Sequence, residues 1–249
     1  MNAGNNTKNY YSNLNKDYLK CWSSLAKQDI DNFERAQVNN WLEKFVSTKE
    51  QPLKILELGV GPGRIAKEIL MHNIEYYGAD ISNEMIESFK GRIGENVKIK
   101  QLVVSDISSE NPFENIKFDC IVAMRMLYYS KNWPAIIEKL GQKLENNGTI
   151  IFCMPNKNST AILGKLLKSD IVGYYTFEKE LRGYLKKSGF DKIKIIGYAR
   201  VPDVVYDVCT NKIFSLILIY FEKITRLFLG NNFASRMLYV TASRQSVNK

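Results

Sequence analysis

The chain has 249 residues, of which 45% are hydrophobic, and this length predicts one domain with additions to a single core. Its four cysteines have no C-x-x-C spacing, which argues against a metal site. Two of them lie within predicted core strands, which indicates reduced and buried thiols in a cytoplasmic protein. The polar N-terminus lacks the apolar stretch of a signal peptide, and the net charge of +9 is spread along the chain. A diffuse excess of this kind favours a solvated surface over a nucleic-acid partner.

The first predicted element is a helical segment over residues 12–47. Tyr10 and Tyr11 stand directly before it. Apolar residues recur along the segment at intervals that place them on one side of a helix. These residues are Trp22, Leu25, Ile30, Phe33, Val38, Trp41, Leu42 and Phe45.

A glycine-rich turn follows, within the segment Leu-Lys-Ile-Leu-Glu-Leu-Gly-Val-Gly-Pro-Gly-Arg at 53–64. The apolar run at 55–58 predicts a buried strand, and the pattern at 65–70 predicts a helix. A strand, a glycine turn and a helix together bring backbone N–H groups and a helix N-terminus against a polar ligand. The turn itself contains Gly59, Gly61 and Gly63.

The spacing of these glycines limits the kind of ligand. A dinucleotide-binding turn has the pattern G-x-G-x-x-G, whereas this chain has G-x-G-x-G with Arg64 in the position of the third glycine. A phosphate-binding P-loop is excluded as well, since no Gly-Lys-Ser/Thr sequence follows. Arg64 itself is predicted to lie on the surface, in the first turn of its helix.

A second strand is predicted over 74–79. It ends at Asp80, and Ser82 follows as the N-cap of an amphipathic helix over 82–89. A later helix is predicted over 175–190. The remaining predicted strands lie at 97–104, 118–124, 149–154, 192–198 and 237–242. Alternating strands and helices predict an α/β fold with an open, mostly parallel sheet that has helices on both faces.

The segment Glu57–Gly63 resembles the first motif of the class I S-adenosyl-L-methionine (SAM) dependent methyltransferases. Asp80, Asp106 and the strand start at 118–119 follow it in the order typical of that family. The resemblance implies a Rossmann-like, doubly wound sheet of seven strands in the order 3-2-1-4-5-7-6, in which strand seven is antiparallel.

The same resemblance implies a single methyltransferase domain built from three parts. A helical cap would occupy residues 1–50, the SAM-binding core residues 51–200 and 236–245, and a helical insertion residues 201–235. The cap is expected to cover the cofactor and the substrate. The tyrosine pair before the helical segment would either close the pocket, where a ring helps to hold the SAM sulfonium, or pack on the edge of the core.

Roles for individual residues also follow from the resemblance. Asp80 would accept hydrogen bonds from both ribose hydroxyls, Asp106 would meet the adenine amino group, and Ile81 would lie against the adenine face. Glu57 has an alternative role in supporting the fold. The full set predicted to bind SAM is Glu57, Gly59, Gly61, Gly63, Asp80, Ile81, Asp106, Ile107, Met124, Arg125 and Tyr11.

The loop after the fourth strand is expected to lie beside the transferred methyl group and the acceptor. The only histidine, His72, lies at the end of the first predicted helix and remote from that point, which disfavours a histidine base. Tyr128 and Tyr129 are the predicted catalytic pair: one would orient the nucleophile and the other would pack, in an order that the sequence leaves open. Arg125 either binds an acidic acceptor or is a salt-bridged residue of the loop.

The insertion contains an apolar run at 213–221, which is too short to cross a bilayer because crossing takes about 20 residues. A helix over 213–229 would carry Ser215, Glu222 and Arg226 on a narrow polar stripe, opposite a wide apolar surface. Packing as core or lid is the first interpretation of that surface. A homodimer contact, or docking on a membrane or a lipid-linked substrate, is the second.

The predicted function is that of a cytoplasmic SAM-dependent methyltransferase, membrane-associated if the second interpretation of the insertion holds. Its acceptor would be an oxygen or nitrogen atom of a small molecule, a glycan or a lipid-linked compound. An RNA or protein methyltransferase of the same fold is one alternative, favoured by the basic charge. A SAM-binding partner subunit without transfer activity is the other.

Overall fold

The computed structural model describes residues 18–46, 50–159, 173–202, 205–206 and 211–244. The strands are β1 (Leu53–Leu58), β2 (Ile74–Asp80), β3 (Ile99–Val104), β4 (Phe118–Ala123), β5 (Leu144–Pro155), β6 (Phe190–Tyr198) and β7 (Met237–Arg244). The α-helices within the described ranges are α1 (Leu25–Val46), α2 (Ala66–Ile69), α3 (Asn83–Ile93), α4 (Trp133–Gln142), α5 (Glu178–Lys187) and α6 (Lys212–Leu229). Short 3-10 turns occupy Lys20–Trp22 and Leu127–Tyr129.

All seven strands belong to one sheet, in the order β3-β2-β1-β4-β5-β7-β6. Neighbouring strands are parallel from β3 to β5, and β7 runs antiparallel to both β5 and β6. The predicted fold class and strand order are confirmed. From β1 the chain moves outward to β2 in one direction along the sheet, and from β4 it moves outward to β5 in the opposite direction. A crevice therefore opens beyond the carboxyl ends of β1 and β4.

Apolar runs in the central strands form the core. In both β1 and β4, five of the six residues are buried, as expected for parallel strands that are covered on both faces. Cys120 in β4 and Cys153 in β5 are buried free thiols, as predicted. Cys21 is exposed, and Cys209 lies outside the described residues.

The fifth strand is longer than predicted. β5 begins at Leu144 rather than at residue 149, and Leu144 pairs with Phe118 of β4. The register between the two strands shifts in this stretch, where Asn147 has a φ of +62°. The Asn-Asn-Gly sequence at 146–148 therefore forms an irregularity within a strand and does not precede its start.

The insertion between β6 and β7 forms α6, as predicted, but its orientation contradicts the interpretation as core or lid. Ser215 and Glu222 are its buried residues, whereas Leu227 is 80% exposed and Phe228 is 79% exposed. The polar stripe rather than the apolar surface faces the protein, because the Glu222 carboxylate is bonded to the segment that follows β6. Within the described ranges, no helix combines the length and the apolar character needed to cross a membrane.

Candidate active site

A cavity of about 370 Å³ opens at the carboxyl ends of β1 to β4. It brings together residues from four separate segments of the predicted site, namely Gly59, Gly61, Asp80, Ile81, Asp106, Ile107, Met124, Arg125 and Tyr129. The sequence did not single out ten other lining residues, which are Tyr18, Ala79, Met85, Ser105, Ser108, Met126, Ser130, Lys131, Asn132 and Ile136.

The Asp80 carboxylate, at the end of β2, organises one wall of this cavity. Its Oδ2 accepts a hydrogen bond from the Gly61 N–H at 2.9 Å, and its Oδ1 accepts one from the Ser82 N–H at 3.0 Å. Burial raises the pKa of Asp80, although these backbone N–H groups and that of Ile81 act in the opposite direction. A carboxylate offers about four acceptor positions, so capacity remains for a hydroxyl group of a bound ligand.

The glycine turn leaves open space on its cavity side. Gly61 has a φ of +50°, and a Cβ added there would meet no atom within 4 Å. Gly59 has a φ of +70°, and its Cβ would meet the Cβ of Met126 at 3.0 Å. Both positions need glycine for their left-handed backbone. At Gly61 the empty volume beside the bare backbone is part of the cavity, as required for a ligand that lies against main chain.

A third wall comes from the turn after β3. The Asp106 Oδ1 accepts hydrogen bonds from the backbone N–H and the hydroxyl of Ser108, at 2.9 and 2.6 Å. Ile107 and Ile81 add apolar surface to the same cavity. A flat heterocycle with a polar edge fits a wall of this composition, because apolar side chains cover its faces and a carboxylate accepts from its N–H groups.

Two residues of the predicted site, Glu57 and Gly63, are not among the cavity-lining residues. Glu57 is buried, and its Oε2 accepts a hydrogen bond from the hydroxyl of Tyr76 on β2 at 2.8 Å. This contact matches the alternative role of supporting the fold. A Cβ at Gly63 would meet the Cγ1 of Ile93 at 2.9 Å, so this glycine allows α3 to approach the turn closely.

The Glu57 carboxyl group is expected to make stability depend on pH. Burial raises its pKa from 4.5 to about 8. The folded state therefore holds this proton more tightly than the unfolded state, and the stabilisation is full below 4.5 and is lost as the pH rises to about 8. Glu57→Gln, which is neutral at every pH, should remove this fall. Urea denaturation at several pH values across this interval would measure the fall in stability, and parallel stability profiles for parent and variant would contradict the prediction.

The two tyrosines after β4 have different surroundings. Tyr129 is half-buried and lines the cavity, whereas Tyr128 is buried and does not. Their ring centroids are 4.5 Å apart, and the Tyr128 hydroxyl lies 3.5 Å from the Tyr129 hydroxyl. The chain therefore presents Tyr129 to the cavity and packs Tyr128 behind it. His72 is bonded to Asn39 of α1 at 2.8 Å and is not among the lining residues.

A fully buried carboxylate on α1, Glu34, joins this helix to the cavity loops, and no sequence pattern had indicated it. Its Oε2 accepts from Arg64 Nη2 at 2.7 Å, and its Oε1 accepts from Arg125 Nε and from the Tyr239 hydroxyl, each at 2.8 Å. Burial alone would raise the pKa of Glu34, but Arg125, Arg64 and Tyr239 together hold it below its usual value. Arg64 is thus buried in an ion-pair network, which corrects the prediction of a surface residue, and it also pairs with Asp31.

Arg125 forms the salt bridge that was one of its two predicted roles. It has a φ of +55°, a left-handed conformation that costs a residue with a side chain about 1–2 kcal/mol. The ion pair with Glu34 holds it there, at the edge of the cavity. The guanidinium groups of Arg125 and Arg64 also lie over the Trp22 ring, at 4.8 and 4.3 Å from its centroid.

The aromatic residue that the described part of the cap contributes to the cavity is Tyr18. Tyr10 and Tyr11, which were predicted either to close the pocket or to pack on the edge of the core, lie outside the described residues. The sequence offered three tyrosines in that region and no means of choosing among them.

Solved structures share this fold over most of the chain. Magnesium protoporphyrin IX methyltransferase from Synechocystis PCC 6803, solved with bound S-adenosylhomocysteine (SAH), superposes with a TM-score of 0.66 at 14% identity and covers 96% of this chain and 98% of that one. Phosphoethanolamine N-methyltransferase 2 from Haemonchus contortus, solved with SAM, gives 0.58 at 13% identity, over 84% and 53% of the two chains. At these identities the likeness is one of fold.

Sequence comparison gives the family. The malonyl-[acyl-carrier protein] O-methyltransferase of Legionella pneumophila is 28% identical over 147 residues, which are 56% of this chain and 50% of that protein. The chain thus spans about half the length of this curated relative. The profile of the methyltransferase domain family matches residues 30–195. That match covers more than half of the chain, which therefore belongs to the methyltransferase domain family, as its glycine motif had predicted.

Proposed function

We propose that this protein binds SAM in the cavity described above and transfers its methyl group to an oxygen or nitrogen atom of a small-molecule, glycan or lipid-linked acceptor. Membership of the methyltransferase domain family supports the reaction class. Relatives of the same fold that were crystallised with SAM or SAH support the cofactor.

One observation carries the proposal. Gly61 and Asp80, from the ends of two neighbouring strands, are hydrogen-bonded at 2.9 Å and face the same open volume. SAM is a nucleoside that also carries an amino-acid chain, so its site needs a hydrogen-bond acceptor for the ribose hydroxyls and a bare backbone surface close together. This junction supplies both, so the residues present fit SAM. Gly59, Ile81, Asp106, Ile107 and Met124 complete the proposed cofactor-binding set.

Bound SAM would supply an activated methyl carbon, to which the acceptor lone pair bonds while the electron pair of the carbon–sulfur bond leaves with a neutral thioether. The protein then has two tasks, to align the acceptor and to receive its proton where it has one. Tyr129 is the lining residue that best suits the first task, because it belongs to the turn after β4, lines the cavity and carries a hydroxyl group. A neutral amine acceptor can release its proton to solvent after transfer.

The acceptor side of the cavity is polar. Tyr129, Ser130, Lys131 and Asn132 follow one another along its rim, and Lys131 is exposed. Hydroxyl, ammonium and amide groups in this arrangement suit an acceptor that carries oxygen atoms or negative charge near the methylated position. The names of the relatives support a small or carrier-linked acceptor, since they specify magnesium protoporphyrin IX, malonyl-[acyl-carrier protein] and phosphoethanolamine.

Replacing Tyr129 by phenylalanine should lower kcat about tenfold or more, the scale of one lost hydrogen bond to the reacting group, and leave the Kd for SAM within about twofold. Tyr128→Phe is the matched control, since its hydroxyl is directed at Tyr129 and not at the cavity. Its kcat should stay near that of the parent. Release of SAH measures the rates, and equal rates for both variants and the parent would remove Tyr129 from the acceptor site.

A panel of acceptors tests the reaction itself. Carboxylates, phenols, primary amines and phosphorylated alcohols would be incubated with the full chain and SAM, and SAH release followed. We expect release with at least one of these classes. SAM binding without release from any of them, but with release from RNA or a peptide library, would contradict the proposed acceptor class. Binding without any release would point to a partner subunit.

A further inference from the structure

The feature that the proposed function leaves unexplained is the outward face of α6. Ten large apolar side chains of this helix are between 40% and 80% exposed: Ile213, Phe214, Leu216, Ile217, Tyr220, Phe221, Ile224, Leu227, Phe228 and Leu229. Monomeric soluble proteins rarely expose a contiguous apolar patch larger than a few hundred Å². A surface of this composition needs an apolar partner.

The polar side of α6 is fixed to the protein. The Glu222 carboxylate accepts hydrogen bonds from the backbone N–H groups of Arg200 and Val201, and from the Tyr206 hydroxyl at 2.6 Å. The Arg226 guanidinium lies 5.4 Å from the centroid of the Tyr198 ring. The apolar face cannot rotate inward without breaking these contacts, so its exposure is built into the fold.

The charges of α6 identify the kind of surface that would cover this face. Glu222 is the only carboxylate in the helix, and it is buried, whereas Lys212 and Lys223 are exposed. At about 100° per residue, the two lysines fall within roughly 20° of each other, on one border of an apolar arc that is roughly 160° wide. The helix therefore presents a wide apolar face with cations along its edge and no exposed anion.

We propose that α6 docks this protein on an anionic lipid bilayer, lying in the plane of the interface with its apolar face among the acyl chains. A helix of this length extends about 27 Å along the surface. Such helices bind through their buried apolar area together with the attraction of flanking lysines to anionic headgroups. The lysine stems can lie along the apolar face while their ammonium groups reach the headgroups.

A second copy of the chain fits the same face less well. A symmetric contact through α6 would bring the lysines of both copies into one interface, and the helix has no exposed carboxylate to pair with them. An anionic surface satisfies both the apolar face and its basic border. The net charge of +9 acts in the same direction.

Vesicle flotation with the full chain tests the proposal. The parent should float with phosphatidylcholine vesicles that contain phosphatidylglycerol, and should float less with phosphatidylcholine alone. The double variant Leu227→Ser/Phe228→Ser should lose at least about tenfold in partition, because it removes apolar groups from the acyl region. Met71→Ser/Val97→Ser changes two exposed apolar residues elsewhere and should float like the parent.

A charge variant tests the basic border. Lys212→Gln/Lys223→Gln should bind anionic vesicles more weakly, by about fivefold for each lysine removed, and should bind neutral vesicles as the parent does. All the changed side chains are exposed, so circular dichroism should show an unchanged fold.

Three results would overturn the proposal. The first is a parent that does not float, and the second is a Leu227→Ser/Phe228→Ser variant that floats as well as the parent. The third is light scattering that finds a dimeric parent and a monomeric Leu227→Ser/Phe228→Ser variant, which would assign the face to a second copy. Flotation requires neither SAM nor turnover, so failure here would leave the proposed methyl transfer untouched.

Discussion

Glu34→Gln is expected to lower the free energy of unfolding by about 3–5 kcal/mol, because removing one partner of a buried ion pair leaves uncompensated charge in the interior. Glu34 is fully buried and is the shared partner of Arg64 and Arg125. Glutamine keeps the shape of the side chain but loses the negative charge. Urea denaturation at neutral pH measures the change.

Glu43→Gln is the control for this substitution. Glu43 lies on the same helix, α1, but is exposed, and its contact with Asn39 at 2.7 Å can be kept by glutamine. It should change the unfolding free energy by no more than about 0.5 kcal/mol. A Glu34→Gln protein as stable as the Glu43→Gln protein would show that the buried pairs contribute nothing.

The cost of Glu34→Gln should also depend on pH. The pKa of Glu34 in the folded protein lies below the ordinary carboxyl value of 4.5, so its charge stabilises the fold above that value. The contribution is lost as the pH falls through the folded pKa. The difference between parent and variant should therefore shrink in acid, in the direction opposite to that expected at Glu57.

The second large effect is expected at Asp80. Asp80→Ala should weaken SAM binding by about 3 kcal/mol, on the order of 100-fold, because it removes the acceptor for the ribose hydroxyls and releases the Gly61 N–H. The loss combines a ligand contact with a contact that shapes the turn. Isothermal titration with SAM measures it, and a thermal melt confirms that the variant is folded.

Asp191→Ala serves as the control for Asp80→Ala. Asp191 is an exposed carboxylate near the start of β6, and its Oδ1 accepts from the backbone N–H of Lys192. Its removal also releases a backbone donor but touches no cavity residue. SAM affinity should be unchanged. An Asp80→Ala protein that binds SAM as tightly as the parent would mean that the ribose lies elsewhere.

The sequence predicted the individual strands and helices because their signals are local, whereas the strand order was implied by the resemblance to a known family. A glycine turn after an apolar run marked where β1 ends, Asp80 and the N-cap Ser82 marked where β2 ends, and the carboxyl ends of parallel strands meet at one edge of a sheet. The resemblance to the SAM-dependent methyltransferases assigned Gly59, Asp80, Asp106 and Met124 to one site, and these residues line one cavity in the structure.

The sequence could not show contacts between distant segments. Glu34 lies 30 positions from Arg64 and 91 from Arg125, and in isolation it resembles an ordinary polar residue on a helix. Glu57 stands in the cofactor motif but bonds to Tyr76 on the neighbouring strand. In each case the partner that fixes the side chain comes from the fold and not from its own segment.

The orientation of α6 also depends on contacts with distant segments, which the sequence does not reveal. Helical periodicity gave the polar stripe of Ser215 and Glu222 and the apolar arc opposite it correctly. Which of the two faces the protein depends on Arg200 and Tyr206, the partners of Glu222. The general expectation that apolar residues point inward was wrong here, because the Glu222 carboxylate, and not the apolar side chains, forms the contacts with the interior.

Titration of SAM into the full chain, its Gly61→Ala variant and its Gly94→Ala variant tests most directly whether the glycine turn holds the cofactor. Both glycines have a left-handed backbone, at φ +50° and +72°, and both have open space around an added Cβ, but only Gly61 lines the cavity. We expect the parent to bind one equivalent, Gly94→Ala to bind equally well, and Gly61→Ala to lose at least about tenfold, or 1.4 kcal/mol. A folded parent that gives no binding heat, or a Gly61→Ala protein with parental affinity, would contradict SAM binding at this turn.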